Sequence, residues 1–132
     1  MKVSDVYVPV RVHGGELERC LSFYENILGE RCQLRFDYSE RSLELASVGA
    51  ILLMAGSETA LAAGPAMIGT FAVDSLDEFR QELIRQGAAI IREPGDTPTG
   101  RNLFAAHPDG AIFEYMQFDS EKAAAVNRVK SR

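Results

Sequence analysis

Residues 6–12, VYVPVRV, alternate valine with Tyr7, Pro9 and Arg11, the two-residue period of a strand with one aliphatic and one mixed face. After HGGE, the segment LERCLSFYENILG sets Leu17, Cys20, Leu21, Tyr24, Ile27 and Leu28 at helical spacing, with Gly29 as a stop. Strand-like runs follow near 32–38, 41–48 and 50–55, separated by turn-forming YSE and VG. From Met67 the same order returns. MIGTFAV reads as a strand, Ser75 and Glu78 as a capping box, and Leu76, Phe79, Leu83 and Ile84 as a helix stripe closed by Gly87. Strands near 88–93, 101–106 and 111–118 complete it.

The two stretches can be laid on one another. Val12 falls on Val73, and GAILLM (49–54) falls on GAIFEY (110–115), both 61 positions apart, while the helices, Leu17 to Leu76, are 59 apart. A two-residue insertion in HGGE accounts for the difference. The pattern predicts an α+β fold of two tandem βαβββ modules, module one over about 3–56 and module two over about 67–119. Between them SETALAAGPA (57–66) reads as a small-residue, flexible linker, and 120–132 as a tail in which Ser120 opens a short helix before the solvated basic end VNRVKSR.

Composition narrows the class. A chain of 132 residues, 46% hydrophobic and 25% charged, can bury a core without disulfides. No apolar run approaches the roughly 20 residues of a membrane span. MKVSDVYVPV lacks the apolar core and cleavage site of a signal peptide, which predicts a cytoplasmic location. A net charge of −5 and a pI near 5.0 argue against nucleic acid or an anionic membrane as partner. Cys20 and Cys32, without CxxC spacing, read as packing residues, and His13 and His107 as solvated turn residues. The chain carries no GxxxxGK[ST], GxGxxG or GxSxG.

One residue stands out against this pattern. In HPDGAIFEYMQ (107–117), Glu114 interrupts an apolar strand, and burying an ionised carboxylate costs several kcal/mol or more unless it is paired, hydrogen-bonded or bound to a cation. By alternation it shares a face with Ile112, Met116 and Phe118.

The tandem βαβββ order, with FYENILG at the end of the first helix and HPDGAIFEY before the last strand, resembles the vicinal oxygen chelate superfamily of glyoxalases, bleomycin-resistance proteins and extradiol dioxygenases. The resemblance runs from about Val3 to Phe118, with His107 and Ala111 departing from the family's turn pattern. It implies curved mixed sheets, each backed by a helix, around a cavity, and a homodimer. The family's four metal-ligand positions fall on Tyr7, Leu53, Ile68 and Glu114, so that only Glu114 keeps a strong ligand. No metal or other cofactor is therefore expected. Were a divalent ion present, Glu114 would hold it, for instance together with Glu44.

The same geometry would make Arg11 the ion-pair partner of Glu114, or Tyr7 its hydrogen-bond donor. The expected function is metal-free binding of a small apolar or aromatic compound by Tyr7, Arg11, Met54, Ile68, Met116 and Phe118. Two alternatives stand beside it. One is a lyase, isomerase or dioxygenase with catalytic Glu114 as metal ligand or general acid/base; the other is a non-catalytic structural dimer with a filled cavity.

Overall fold

The computed structural model describes residues 1–129. Strand β1 (Val3–His13) leads through a short turn to helix α1 (Leu17–Leu28) and then to β2 (Leu34–Tyr38), β3 (Leu43–Val48) and β4 (Ile51–Gly56). Helix α2 (Glu58–Ala62) connects to β5 (Gly69–Val73), α3 (Leu76–Arg85), β6 (Ala89–Thr97), β7 (Gly100–Ala106), β8 (Ile112–Phe118) and α4 (Ser120–Val126). The eight strands form one mixed sheet in the order β2-β3-β4-β1-β5-β8-β7-β6. The α+β class and the β-α-β-β-β order of each half agree with the sequence reading. No helix among the described residues is long and apolar enough to cross a membrane.

The halves meet where β1 pairs antiparallel with β5, Val6 opposite Phe71 and Tyr7 opposite Thr70. Beyond Tyr7, β1 leaves β5 and pairs parallel with β4 from Val8 to His13. Pro9 sits at this change of partner. Val8 donates its N–H to the Ala50 carbonyl, so the next nitrogen points away from β4, past the paired part of β5. A residue without an N–H loses nothing there. On β6 at the sheet edge, Pro94 lies within a stretch whose register with β7 shifts between Arg92 and Gly95, again where no ladder bond is forfeited.

Both helix predictions hold at their ends. Gly29 closes α1 in the left-handed conformation at φ 67°, and the Ser75 hydroxyl accepts the Glu78 N–H to open α3. On the outer face of the sheet, Leu17 and Leu21 pack on Val12, Ala46, Val48 and Leu53, joined by the half-buried Cys20 and Cys32. Leu76 packs with Val73, Leu103 and Tyr115, flanked by Phe79 and Leu83. Ile27, expected in the α1 stripe, is instead 66% exposed.

Three segments differ from the sequence reading. The linker contains a helix, because Ser57 caps α2 by accepting the Ala60 N–H at 3.1 Å, and Leu61 packs with the inner-face residues. Asp119, not Ser120, opens α4, accepting from the N–H groups of Glu121 and Lys122. The basic end is docked on the edge of β2. Asn127 accepts the Arg35 N–H at 3.0 Å and donates to the Gln33 carbonyl at 3.1 Å, and the Arg128 N–H reaches the Arg35 carbonyl at 2.8 Å. A free strand edge offers unpaired donors and acceptors, and this tail satisfies some of them. The rest of the predicted tail, 130–132, lies outside the described residues.

Candidate functional site

Glu114 sits in the middle of β8, with Thr70 of β5 opposite it on one side and Phe104 of β7 on the other. The Thr70 hydroxyl donates to Oε1 at 2.8 Å, and the Asn102 amide donates to Oε2 at 2.8 Å. Thr70 and Asn102 are buried. Arg92 on β6 donates to Asn102 Oδ1 at 3.3 Å and lays its guanidinium over the Phe104 ring, 5.3 Å from the centroid. That contact turns the amide so that its N–H faces the carboxyl group. Burial pushes the Glu114 carboxyl above the usual carboxylate range, opposed by the hydrogen bonds of Asn102 and Thr70 and by the charge of Arg41.

These groups open onto a cavity of about 110 Å³ on the inner face of the sheet. Both halves of the chain contribute to its wall. From the first half come Tyr7, Phe36, Leu45, Leu52 and Met54, and from the second Asn102, Phe104, Glu114, Met116 and Phe118. Leu61 of α2 closes part of it. Burial raises the Tyr7 phenol above its ordinary value, and Asp5 adds to the rise. The charged residues of the wall are Arg11, Arg41, Arg92 and Glu114.

Of the residues singled out in the sequence, Tyr7, Arg11, Met54, Glu114, Met116 and Phe118 thus line one cavity. Ile68 does not. The pairing of β1 with β5 ends at Thr70, and Ile68, two residues earlier, is left 63% exposed. No ion pair joins Arg11 to Glu114, and Tyr7 is not its donor; the neutral donors Thr70 and Asn102 take that place. Sequence reasoning missed both, together with Arg41 and Arg92. Asn102 had a visible signal, since it is a lone amide in the apolar strand GRNLFAA.

Two further corrections follow from which face a side chain takes. Leu53, matched to Glu114 by the 61-residue offset, packs under α1 and is 0% exposed; on β4 the inner-face positions are Leu52 and Met54. A strand shifted by one residue turns every side chain to the opposite face, so the last strands correspond at an even offset. Glu44 pairs across from Ala55, an outer-face residue, and binds Arg35 and Arg128. It cannot share an ion with Glu114. His107 is not a solvated turn residue either: its ring stacks on Phe113 at 4.7 Å, and Nε2 lies 2.7 Å from the Tyr115 hydroxyl.

A chelated metal ion does not suit this donor set. A divalent ion needs several lone pairs converging on one point, whereas Glu114 is the one carboxylate of the wall, no His or Cys joins it there, and Thr70 and Asn102 direct hydrogens at it. Among the described residues no three His, Cys, Asp or Glu side chains gather to hold an ion.

Comparison with known proteins agrees with this architecture. The family model described as Glyoxalase/Bleomycin resistance protein/Dioxygenase superfamily matches residues 8–115. Lactoylglutathione lyase of Neisseria meningitidis serogroup A is 31% identical over 115 residues, covering 78% of this chain and 83% of that protein. Among solved structures, a Methanosarcina mazei protein is 40% identical with a TM-score of 0.82, covering 90% of this chain and 95% of that one. Methylmalonyl-CoA epimerase from Mycobacterium tuberculosis shares the fold at 22% identity, with a TM-score of 0.67 and coverage of 92% and 93%. The chain belongs to the glyoxalase, bleomycin-resistance protein and dioxygenase superfamily.

Proposed function

We propose that this protein binds a small, largely apolar or aromatic molecule in the inner-face cavity, without a metal ion. The observation that carries the reading is the cavity itself: about 110 Å³, walled mainly by apolar side chains, with one half-buried carboxyl group already hydrogen-bonded by Thr70 and Asn102. An apolar cavity of roughly 150 Å³ accommodates benzene, so this one suits a single ring, with the remainder of a larger ligand extending through the open side. Met54 and Met116 give the wall an adaptable surface. Val6 and Val8, exposed on the outer face of β1, offer an apolar strip to the homodimer that the family resemblance implies.

Naphthalene fluorescence tests the reading. The protein should bind the probe equally well with and without a chelator, and Met116→Trp, which fills the cavity, should weaken binding about tenfold, roughly the loss of one good apolar contact. Undiminished binding in that variant, or binding that requires added divalent ion, would overturn it.

A second reading is favoured by the elevated Glu114 carboxyl and by the relative named lactoylglutathione lyase. A carboxyl group whose pKa is raised by burial suits proton transfer beside a carbonyl group. Glu114 is the one group of the wall fit for that role, and Glu114→Gln would then abolish turnover and leave binding intact.

A further inference from the structure

We infer that the ligand is an amphiphilic anion, its apolar body in the cavity and its carboxylate or phosphate held among Arg11, Arg41 and Arg92. The inference rests on the reading of the cavity as a binding site and names the class of molecule it takes.

The argument is one of charge balance. The chain carries 19 acidic and 14 basic residues, so an arginine in this molecule has acids in excess around it. Of the seven described arginines outside the cavity wall, Arg19, Arg35, Arg80, Arg85, Arg101 and Arg128 each make an ion pair, and only the surface residue Arg31 does not. The three arginines of the cavity wall have no carboxylate within ion-pair distance among the described residues, although they arrive from three separate elements: β1, the turn Ser39–Arg41 and β6.

The wall contains one acid only, and it forms an ion pair with none of the three. Both oxygens of Glu114 are taken by Thr70 and Asn102, and burial favours its uncharged form. Arg92 spends one donor on Asn102 and rests on Phe104, which leaves the other donors of its planar fork unspent. Arg41 and Arg92 are half-buried and Arg11 is exposed, so they lie between the apolar wall and solvent. A pocket with apolar walls, three cations and a single acid carries an excess of positive charge, which an anionic ligand would balance. Guanidinium contacts with carboxylate or phosphate are charge-assisted and roughly twice as strong as neutral hydrogen bonds.

Three naphthalene probes of matched size test this by fluorescence titration: naphthaleneacetate, naphthyl phosphate and the neutral naphthaleneethanol. Both anions should bind at least tenfold tighter than the alcohol, and the advantage should shrink as salt is raised. The double variant Arg11→Gln/Arg41→Gln, which spares the Arg92 and Asn102 contact, should remove most of the advantage of the anions over the alcohol, all three being titrated against the same variant. Preference between acetate and phosphate identifies which anionic group is taken, and either supports the inference. If the alcohol binds as tightly as the anions, or the double variant leaves the anions unaffected, the anionic assignment falls and the cavity reading survives. If none of the three binds, the cavity reading falls and takes the inference with it.

Discussion

On the outer face of the sheet the first half packs Leu17 and Leu21 on Val12, Ala46 and Leu53, and the second packs Leu76, Phe79 and Leu83 on Val73, Leu103 and Tyr115. On the inner face the halves part. Beside one another in the first half stand Phe36, Leu45, Leu52 and Met54, all apolar, whereas the second sets Thr70, Asn102 and Glu114 in contact. The outer face must bury a helix stripe in either half and so tolerates little beyond aliphatic and aromatic residues. The inner face of the first half carries its polar groups, Tyr7, Arg11, Arg41 and Ser47, as single residues, and that of the second has a small network in which each member satisfies the next. The hydrogen-bonded network at this cavity therefore comes from one half, while its cations and its apolar contacts come from both.

The largest expected effect comes from exchanging faces in the first half. Leu53→Glu would place a carboxylate under α1 with no partner, and should cost about 4 kcal/mol or more, enough to unfold a marginal domain. Met54→Glu is one residue away but faces the cavity opposite Arg11, and should cost less than half as much. Denaturant unfolding of the two variants measures the difference. Equal losses would mean that β4 does not divide its side chains between a helix face and a cavity face.

That pair of positions also marks how far the sequence could be read. Helix stripes, their glycine stops and the strand order were legible because each follows from a local period or a cap. The face taken by Glu114 relative to β4 was not, because two matched segments of 61-residue offset look equally good to the eye whether the true correspondence is odd or even, and only the register decides. The partners of Glu114 were hidden for a related reason: Thr70 and Asn102 lie 44 and 12 residues away, and cross-strand neighbours carry no sequence period. The docking of the C-terminal segment on β2 depends on Asn127 reaching backbone groups 92 and 94 residues away, which composition as a basic tail concealed.

The second effect sharpens the comparison within the network. Thr70→Val and Asn102→Leu each remove a donor from Glu114 and should each cost about 1–3 kcal/mol, less than additively in combination because they share one acceptor. The pH dependence has a definite sign. The folded-state pKa of Glu114 is raised, so between the ordinary carboxylate value and the raised one the folded chain holds more protons than the unfolded chain, and stability falls as pH rises. Removing a donor raises the folded value further and widens that window upward. Unfolding at about pH 5 and about pH 8 should therefore show a larger loss at the higher pH for both variants, and Glu114→Gln should flatten the dependence. A loss that is greater at the lower pH would contradict the upward shift of the Glu114 carboxyl.

The smallest effect belongs to the outer face of the second half. There the Tyr115 hydroxyl meets His107 Nε2 at 2.7 Å, a polar contact that the outer-face cluster around Leu53 does not have. Tyr115→Phe keeps the ring against Phe71 and Phe79 and forfeits only this hydrogen bond, so the cost should be about 0.5–1.5 kcal/mol. Because Tyr115 and Glu114 are successive residues pointing to opposite faces, the substitution should leave naphthalene binding in the cavity unchanged. Stability measured by unfolding and affinity measured by titration would then move separately. A variant that loses affinity in step with stability would show that β8 transmits a change on one face to the other, and the division of labour between the faces would have to be given up for that strand.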